Sequence, residues 1–131
     1  MMFQMIQARQ IFDPHYWQVS EQNPAYWLAH LRKADWQELL KFAQVAVPPS
    51  AKKHVLAEIA LERFEFVICD GRAEVWQLWT AMRHDNQRGL IIQFRHSERD
   101  WSRGTPEFVD LEKNEPLGKV NIAGRLLCKV K

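Results

Sequence analysis

Apolar positions between residues 23 and 62 recur at intervals of three and four, which is the spacing of a helix face. Asn23 followed by Pro24 is typical of a helix start, because asparagine caps the first turn and proline suits the first helical position. Asp35 begins a capping-box pattern and predicts a second helix, which Pro48 is expected to end. Ser50 is expected to cap a third. The N-terminal half is therefore predicted to hold two to three helices.

From residue 64 the period changes to two, because Phe64, Phe66 and Ile68 alternate with Glu65 and Val67, which is the period of a strand. Residues 64–68 predict a strand that closes at Asp70-Gly71, a dipeptide typical of a two-residue hairpin turn. Residues 90–94 form a short apolar run that predicts a buried strand. Two further strands are expected, a short one over 108–111 and a final one over 120–130.

Residues 73–82 have apolar residues at both the spacing of a strand and the spacing of a helix. They are interpreted as the strand that returns from the hairpin, which would give a three-stranded antiparallel meander with residues 90–94. Val75, Trp79 and Met82 also sit at helical spacing, so a helix is the alternative for this segment. The Asp-Gly turn favours the strand.

Helices followed by strands predict an α+β fold, in which two to three N-terminal helices pack on one face of a mainly antiparallel sheet of four to five strands. The 131 residues, 47% of them hydrophobic, are enough to bury a core without disulfides or metals. No repeat or linker interrupts the chain, so residues 1–131 are expected to form a single globular domain. The net charge of +2 argues against sequence-independent binding to nucleic acid and against binding to an anionic membrane.

Cys69 and Cys128 belong to no CxxC or Cys/His cluster, so a zinc framework and a secreted disulfide scaffold are not indicated. The first ten residues contain glutamines and an arginine among the apolar positions, unlike a signal peptide. No apolar run approaches the roughly 18 residues of a membrane helix. These features predict a cytoplasmic protein with reduced cysteines that take no catalytic part.

Tryptophan is the most over-represented residue in the composition. Because its indole N–H needs a partner, tryptophan is rarely buried completely and gathers at pockets and interfaces as well as in cores. Most of the six are expected in the core. Trp17 and Trp101 lie among polar and turn residues and are candidates for a binding surface. The six are Trp17, Trp27, Trp36, Trp76, Trp79 and Trp101.

A band of arginines and histidines follows Trp76 and Trp79 in the sequence. Arginine forks bind phosphate and carboxylate, although acidic residues in the same band could neutralise them. The two histidines lack a third ligand at a defined spacing, so no metal is expected, and the absence of any cofactor motif predicts no cofactor. The band comprises Arg83, His84, Arg88, Arg95, His96, Arg99 and Arg103 beside Asp85, Glu98 and Asp100. The candidate ligand-binding residues are Trp76, Trp79, Arg83, His84, Arg95, His96, Arg99 and Trp101.

One resemblance covers less than a third of the chain. Residues 64–101, interpreted as strand, turn, strand, turn and strand followed by His96-Ser97-Glu98-Arg99-Asp100-Trp101, resemble the closing sheet of bacterial RelE-type ribonuclease toxins. That resemblance implies an RNA-cleaving enzyme, with a histidine of the band as acid or base and an arginine stabilising the charge of the transition state.

The residues favour a binding or regulatory module that recognises a protein or a small-molecule ligand through an aromatic-rich surface. The alternative is the small RNA-cleaving enzyme of the RelE-like type. A third hypothesis, a subunit of a homo-oligomer, predicts the same aromatic surface. Nucleic acid is the less favoured partner, because the charges of the chain are nearly balanced.

Overall fold

The computed structural model describes residues 6–13, 21–95, 105–110 and 122–131. These residues form five helices and a four-stranded antiparallel sheet, so the predicted α+β class is confirmed. The chain divides into two compact units, residues 1–63 and residues 64–131. The single-domain organisation stays a prediction.

The first unit is helical. Its apolar faces meet in a core that includes Ile11, Leu28, Trp36, Leu39 and Leu56, all of them buried. Helix α3 packs against α4, and α1 contacts both α2 and α4. The helices are α1 (Ala8–Phe12), α2 (Pro24–Leu28), α3 (Lys33–Phe42) and α4 (Lys53–Arg63).

The start of α2 is as predicted, since the Asn23 Oδ1 atom accepts a 2.9 Å hydrogen bond from the Ala25 N–H and Pro24 occupies the first turn. The start of α3 is not at Asp35. That residue lies inside the first turn, where its carboxylate accepts a 2.7 Å hydrogen bond from the Arg32 N–H. An acidic side chain can accept a hydrogen bond from a free N–H either as the N-cap or as the third residue of the helix. The sequence pattern alone therefore does not fix the residue at which the helix begins.

Helix α3 ends at Phe42, well before Pro48, because Gln44 adopts a left-handed conformation with φ 61°. The Val45 N–H donates back to the Leu40 carbonyl over 2.9 Å, and the Gln44 N–H donates to the Lys41 carbonyl over 3.0 Å. This pair of bonds is a Schellman motif, which closes the helix without a proline. The next helix begins at Lys53, so Ser50 is not its immediate cap.

In the second unit, the described residues form the four-stranded sheet and one helix. The strands lie in the order β1-β4-β2-β3, and each hydrogen-bonded pair is antiparallel. Three of the four strands have the bounds expected from the sequence to within two residues. The fourth, β3, begins three residues before its predicted start at residue 108. The elements are β1 (Phe64–Cys69), α5 (Arg72–His84), β2 (Gly89–Arg95), β3 (Thr105–Asp110) and β4 (Ile122–Val130).

The prediction of a returning strand over residues 73–82 is wrong, because this segment lies within helix α5. The Asp70-Gly71 hairpin and the three-stranded meander are wrong with it. Gly71 is the N-cap of α5, with an extended φ of −179°. The helical alternative prevails because a long segment with apolar residues at helical spacing buries its whole apolar face against the sheet.

The helix connects two strands that run in the same direction. Strands β1 and β2 are each antiparallel to β4, which lies between them, so β1–α5–β2 is a crossover over an intervening strand. Such a connection needs about a dozen residues or more and is usually helical. The location of α5 on one face of the sheet follows from this connection.

Helix α5 covers that face through Val75 and Met82, both buried, and through the partly buried Trp76, Leu78 and Trp79. Beneath it lie apolar residues from all four strands. On the opposite face of β2 and β4, the alternate residues are buried as well, which explains why β2 reads as a continuous apolar run. The face under α5 contains Val67, Cys69, Ile91, Val109 and Leu127.

A candidate ligand-binding cleft at the end of helix α5

Two tryptophans and an arginine form a continuous stack along α5. Trp76 and Trp79 meet edge to face, with ring centroids 5.3 Å apart and planes at 79°. The Arg83 guanidinium carbon lies 4.9 Å from the Trp79 ring centroid, which is a cation–π contact. Residues three and four apart share a helix face, so this stack exists only because the segment is helical. The tryptophans are partly buried and the arginine is exposed.

The chain turns back at the end of α5 through a second Schellman motif. Asn86 is left-handed, with φ 56°. Its N–H donates to the Arg83 carbonyl over 3.2 Å, and the Gln87 N–H donates to the Met82 carbonyl over 2.8 Å. The last carbonyls of the helix are therefore satisfied by the backbone. The side chains of Asn86 and Gln87 are exposed to solvent.

The backbone that follows is attached to the sheet. The Val130 N–H donates a 2.8 Å hydrogen bond to the Arg88 carbonyl, so the residue before β2 is held against the end of β4. Gly89 follows, and a side chain there would overlap the Met82 methyl group, which shows how closely α5 approaches β2. This close approach brings the end of the helix and the start of the strand together.

These elements enclose a cleft of about 420 Å³. We call it the α5 cleft. Its lining combines two guanidinium groups, two carboxamides and one indole, and among the described residues none that lines it is acidic. The volume falls in the range of small-molecule sites, which is roughly 300 to 1,000 Å³. The lining residues are Trp79, Arg83, Asn86, Gln87 and Arg88.

The structure brings together only part of the predicted site. Trp79 and Arg83 line the α5 cleft and Trp76 packs behind them. His84 is adjacent in sequence, but its side chain is 88% exposed and lies 3.4 Å from the Asp85 carboxylate. The predicted residues His96, Arg99 and Trp101 lie outside the described residues, as does Trp17.

Arg95 belongs to a different part of the sheet. It ends the seven-residue strand β2, so it lies roughly 20 Å from Gly89 at about 3.3 Å per residue. Its Nε atom lies 3.5 Å from a carboxylate oxygen of Glu107 on β3. Nearby, the Arg125 Nε–H donates a 3.2 Å hydrogen bond to the buried Gln93 side chain. At this end of the sheet, Arg95 therefore lies within ion-pair distance of Glu107, and Arg125 is hydrogen-bonded to Gln93.

Sequence reasoning did not select Asn86, Gln87 and Arg88 as site residues. Arg88 belongs to the predicted arginine band, whereas Asn86 and Gln87 belong to none of the predicted elements or groups. The signal that could have found them is an asparagine directly after a predicted helix, since asparagine is among the few residues that adopt the left-handed C-terminal position.

The two cysteines offer no nucleophile. Both are free and buried. Burial, with a smaller contribution from the Glu74 carboxylate, raises the pKa of Cys69 to about 12. Burial also raises the pKa of Cys128 well above its usual value. A thiol with a raised pKa stays protonated at neutral pH and reacts slowly.

The RelE-type resemblance loses its structural basis in the described part of the chain. It required three consecutive strands over residues 64–95, and this segment is strand, helix and strand.

Within the described residues, no three histidine, cysteine or acidic side chains are grouped as a metal ion would require. No helix in the same ranges is long and apolar enough to cross a membrane.

Comparison with known protein families, with curated proteins and with solved structures finds no match for this chain. Function is therefore inferred from the α5 cleft itself.

Proposed function

We propose that this protein is a binding module that holds a small anionic ligand with a planar ring in the α5 cleft. The observation that carries the proposal is the Arg83 guanidinium stacked 4.9 Å from the Trp79 centroid inside a cleft that also contains Arg88. An arginine held against an indole loses less freedom on binding and offers its fork to a carboxylate or a phosphate. The same stack offers a flat surface for a ring.

The concave shape favours a small ligand over a protein surface. Protein interfaces bury about 800 Å² on each partner and centre on a few tryptophan and arginine anchors. The α5 cleft has such anchors, but among the described residues only five line it, and its volume suits one small molecule. A protein partner would have to place a single acidic or aromatic side chain in the cleft.

We also propose that the protein acts in the cytoplasm, because its two buried cysteines are unpaired, as is usual where the compartment is reducing. The ribonuclease alternative stays a prediction. His84 does not line the α5 cleft, and the other residues on which that alternative depends, His96 and Arg99, lie outside the described residues.

The proposal is tested by NMR titration with phenyl phosphate and benzoate, which are planar anions, and with inorganic phosphate and acetate as controls without a ring. The expected result is saturable shifts of the Trp79 indole N–H and the Arg83 Nε–H with the planar anions. The ringless anions should give weaker shifts. The buried Trp36 indole of the first unit is an internal control and should not move.

A pair of variants makes the test specific. Arg83→Gln should abolish the shift of the Trp79 resonance, whereas Arg63→Gln, at an exposed arginine outside the cleft, should leave it unchanged. If neither planar anion shifts Trp79 at millimolar concentration, or if both variants bind equally well, the proposed function is wrong.

A further inference from the structure

The composition of the α5 cleft points to one class of anionic ligand. We propose that the ligand is a nucleoside monophosphate, with its phosphate on the two arginines and its base against the carboxamides and the Trp79–Arg83 stack. This inference rests on the proposed function and specifies the ligand of the same cleft. Phosphate, base and size each provide a separate argument.

The phosphate is matched by charge. A phosphate monoester carries a charge of about −1.5 to −2 at pH 7 and three strong acceptor oxygens. Arg83 and Arg88 both line the cleft and supply two positive charges. Guanidinium forks donate paired hydrogen bonds to phosphate oxygens. A carboxylate ligand would engage only one of the two forks fully.

The base is matched by the remaining polar groups. Each carboxamide, at Asn86 and at Gln87, has both a donor and an acceptor, which is the combination needed to pair with the edge of a base. The backbone of Asn86 is fixed by its left-handed position in the Schellman motif. Aromatic rings and arginine planes are the surfaces on which unpaired bases stack in proteins.

The size of the α5 cleft selects a single nucleotide rather than a strand. A strand-binding surface needs a track of cations along the backbone of the nucleic acid. The next arginine of the predicted band, Arg95, lies roughly 20 Å away along β2 and faces Glu107 at 3.5 Å. A volume of about 420 Å³ accommodates one nucleotide, which could be free or be the phosphorylated end of a chain.

The experiment is a calorimetric titration of the full chain with the four ribonucleoside 5′-monophosphates. Adenosine, ribose 5-phosphate and phenyl phosphate are the partial ligands. The expected result is that at least one monophosphate binds roughly tenfold or more tightly than each partial ligand, since phosphate and base contacts both contribute. Two RNA hexamers, with and without a 5′-phosphate, distinguish a free nucleotide from a strand end.

Variants assign the two halves of the ligand. Arg88→Gln should weaken monophosphate binding about tenfold and leave adenosine binding unchanged, because one charged hydrogen-bonding partner is lost. Arg88→Lys keeps the charge but loses the fork and should give an intermediate loss. Gln87→Ala should reduce the difference among the four bases. Arg63→Gln is the matched control and should bind as the wild type does.

Each outcome is decisive. Equal affinity for phenyl phosphate and for all four monophosphates would overturn the inference and leave the proposed function intact, since the base would then not be read. Binding of neither would overturn both. Tighter binding of the unphosphorylated hexamer than of any monophosphate would also overturn the inference, in favour of a strand-binding surface. A 5′-phosphorylated hexamer that matches the best monophosphate would support it and identify a strand end as a source of the ligand.

Discussion

Gly89 is the point at which helix α5 comes closest to the sheet, and replacing it should reveal how much that contact contributes to stability. It pairs with Lys129 at the start of β2. A Cβ atom at position 89 would overlap the Met82 methyl group and would lie 2.9 Å from the carbonyl oxygen of Cys128. The first clash can be relieved by rotation of a flexible side chain. The second involves backbone within a paired strand and cannot be relieved in that way.

We expect Gly89→Ala to lower the free energy of unfolding by about 1 to 3 kcal/mol, the usual range for overpacking a well-packed core. The upper half of that range applies here, because Met82 is itself only 2% exposed and has little free space to move into. The matched control is Gly71→Ala. Gly71 has an extended backbone and no atom within 4 Å of the added methyl, so its stability should change by less than about 1 kcal/mol.

A double-mutant cycle separates the two clashes. Met82→Ala alone should cost about 2 to 5 kcal/mol through loss of buried contacts. In the double variant the new methyl group at position 89 occupies part of the vacated space, so the combined cost should fall short of the sum by roughly 1 to 2 kcal/mol. What remains of the Gly89 effect then reports the contact with the Cys128 carbonyl.

The assay is urea denaturation followed by tryptophan fluorescence, with far-UV circular dichroism as a second probe. Trp76 and Trp79 pack against the same core and report directly on the unit that contains Gly89. The reasoning is refuted if Gly89→Ala unfolds at the same urea concentration as Gly71→Ala. It is also refuted if the two substitutions at positions 82 and 89 are additive.

Three further predictions concern other parts of the chain. Gln44→Gly should raise the free energy of unfolding by about 1 kcal/mol, seen as a higher thermal midpoint, because glycine adopts φ 61° without strain. Asn86→Gly should be stabilised less, since asparagine tolerates the left-handed region better than glutamine does. The same Asn86→Gly substitution should weaken nucleotide binding. Asn23→Ala should cost about 1 kcal/mol in urea denaturation through loss of the α2 cap. Cys69 and Cys128 should resist a thiol reagent until the protein unfolds. Folding raises the pKa values of both thiols above the ordinary 9.0, so their contribution to stability is intact below pH 9 and is lost as the pH rises above it. The loss is at most about 1.4 kcal/mol per thiol and pH unit. Replacing both cysteines with alanine should therefore flatten the pH dependence of the urea midpoint between pH 9 and 11.

The sequence predicts the strands better than the helix that connects them. Strand β2 is recognisable because a short, mostly apolar run with two isoleucines and a phenylalanine is typical of a strand buried on both faces. The prediction for α5 is wrong because Asp70-Gly71 is a strong hairpin signal, whereas the length of the segment that follows it favours a helix. A segment of 13 residues is longer than most strands and typical of a helix, so length is the better criterion here.

The error in α5 also explains why only part of the site could be predicted. In a strand, residues 76 and 79 would point to opposite faces, whereas in the helix Trp76, Trp79 and Arg83 share one. Arg95 belonged to the same band in the sequence, yet an extended strand carries it away from the others. Asn86 and Gln87 join the cleft through the turn that closes α5, so the asparagine signal is useful only once residues 73–82 are interpreted as a helix.

A left-handed residue after a helix does not by itself mark a site, because Gln44 and Asn86 close two helices in the same way. What distinguishes the second turn is the crossover that contains it. The crossover must return the chain to the sheet at β2, and the missing side chain at Gly89 lets α5 descend until Met82 touches the strand. Arg88 lies directly before Gly89, and Trp79 and Arg83 lie on α5, so a shift of the helix away from the strand would move the Trp79–Arg83 stack relative to Arg88. A Gly89→Ala variant that still folds should therefore bind the preferred nucleoside monophosphate less tightly than the wild type does. Gly71→Ala lies at the far end of the same helix and should bind it as tightly as the wild type does.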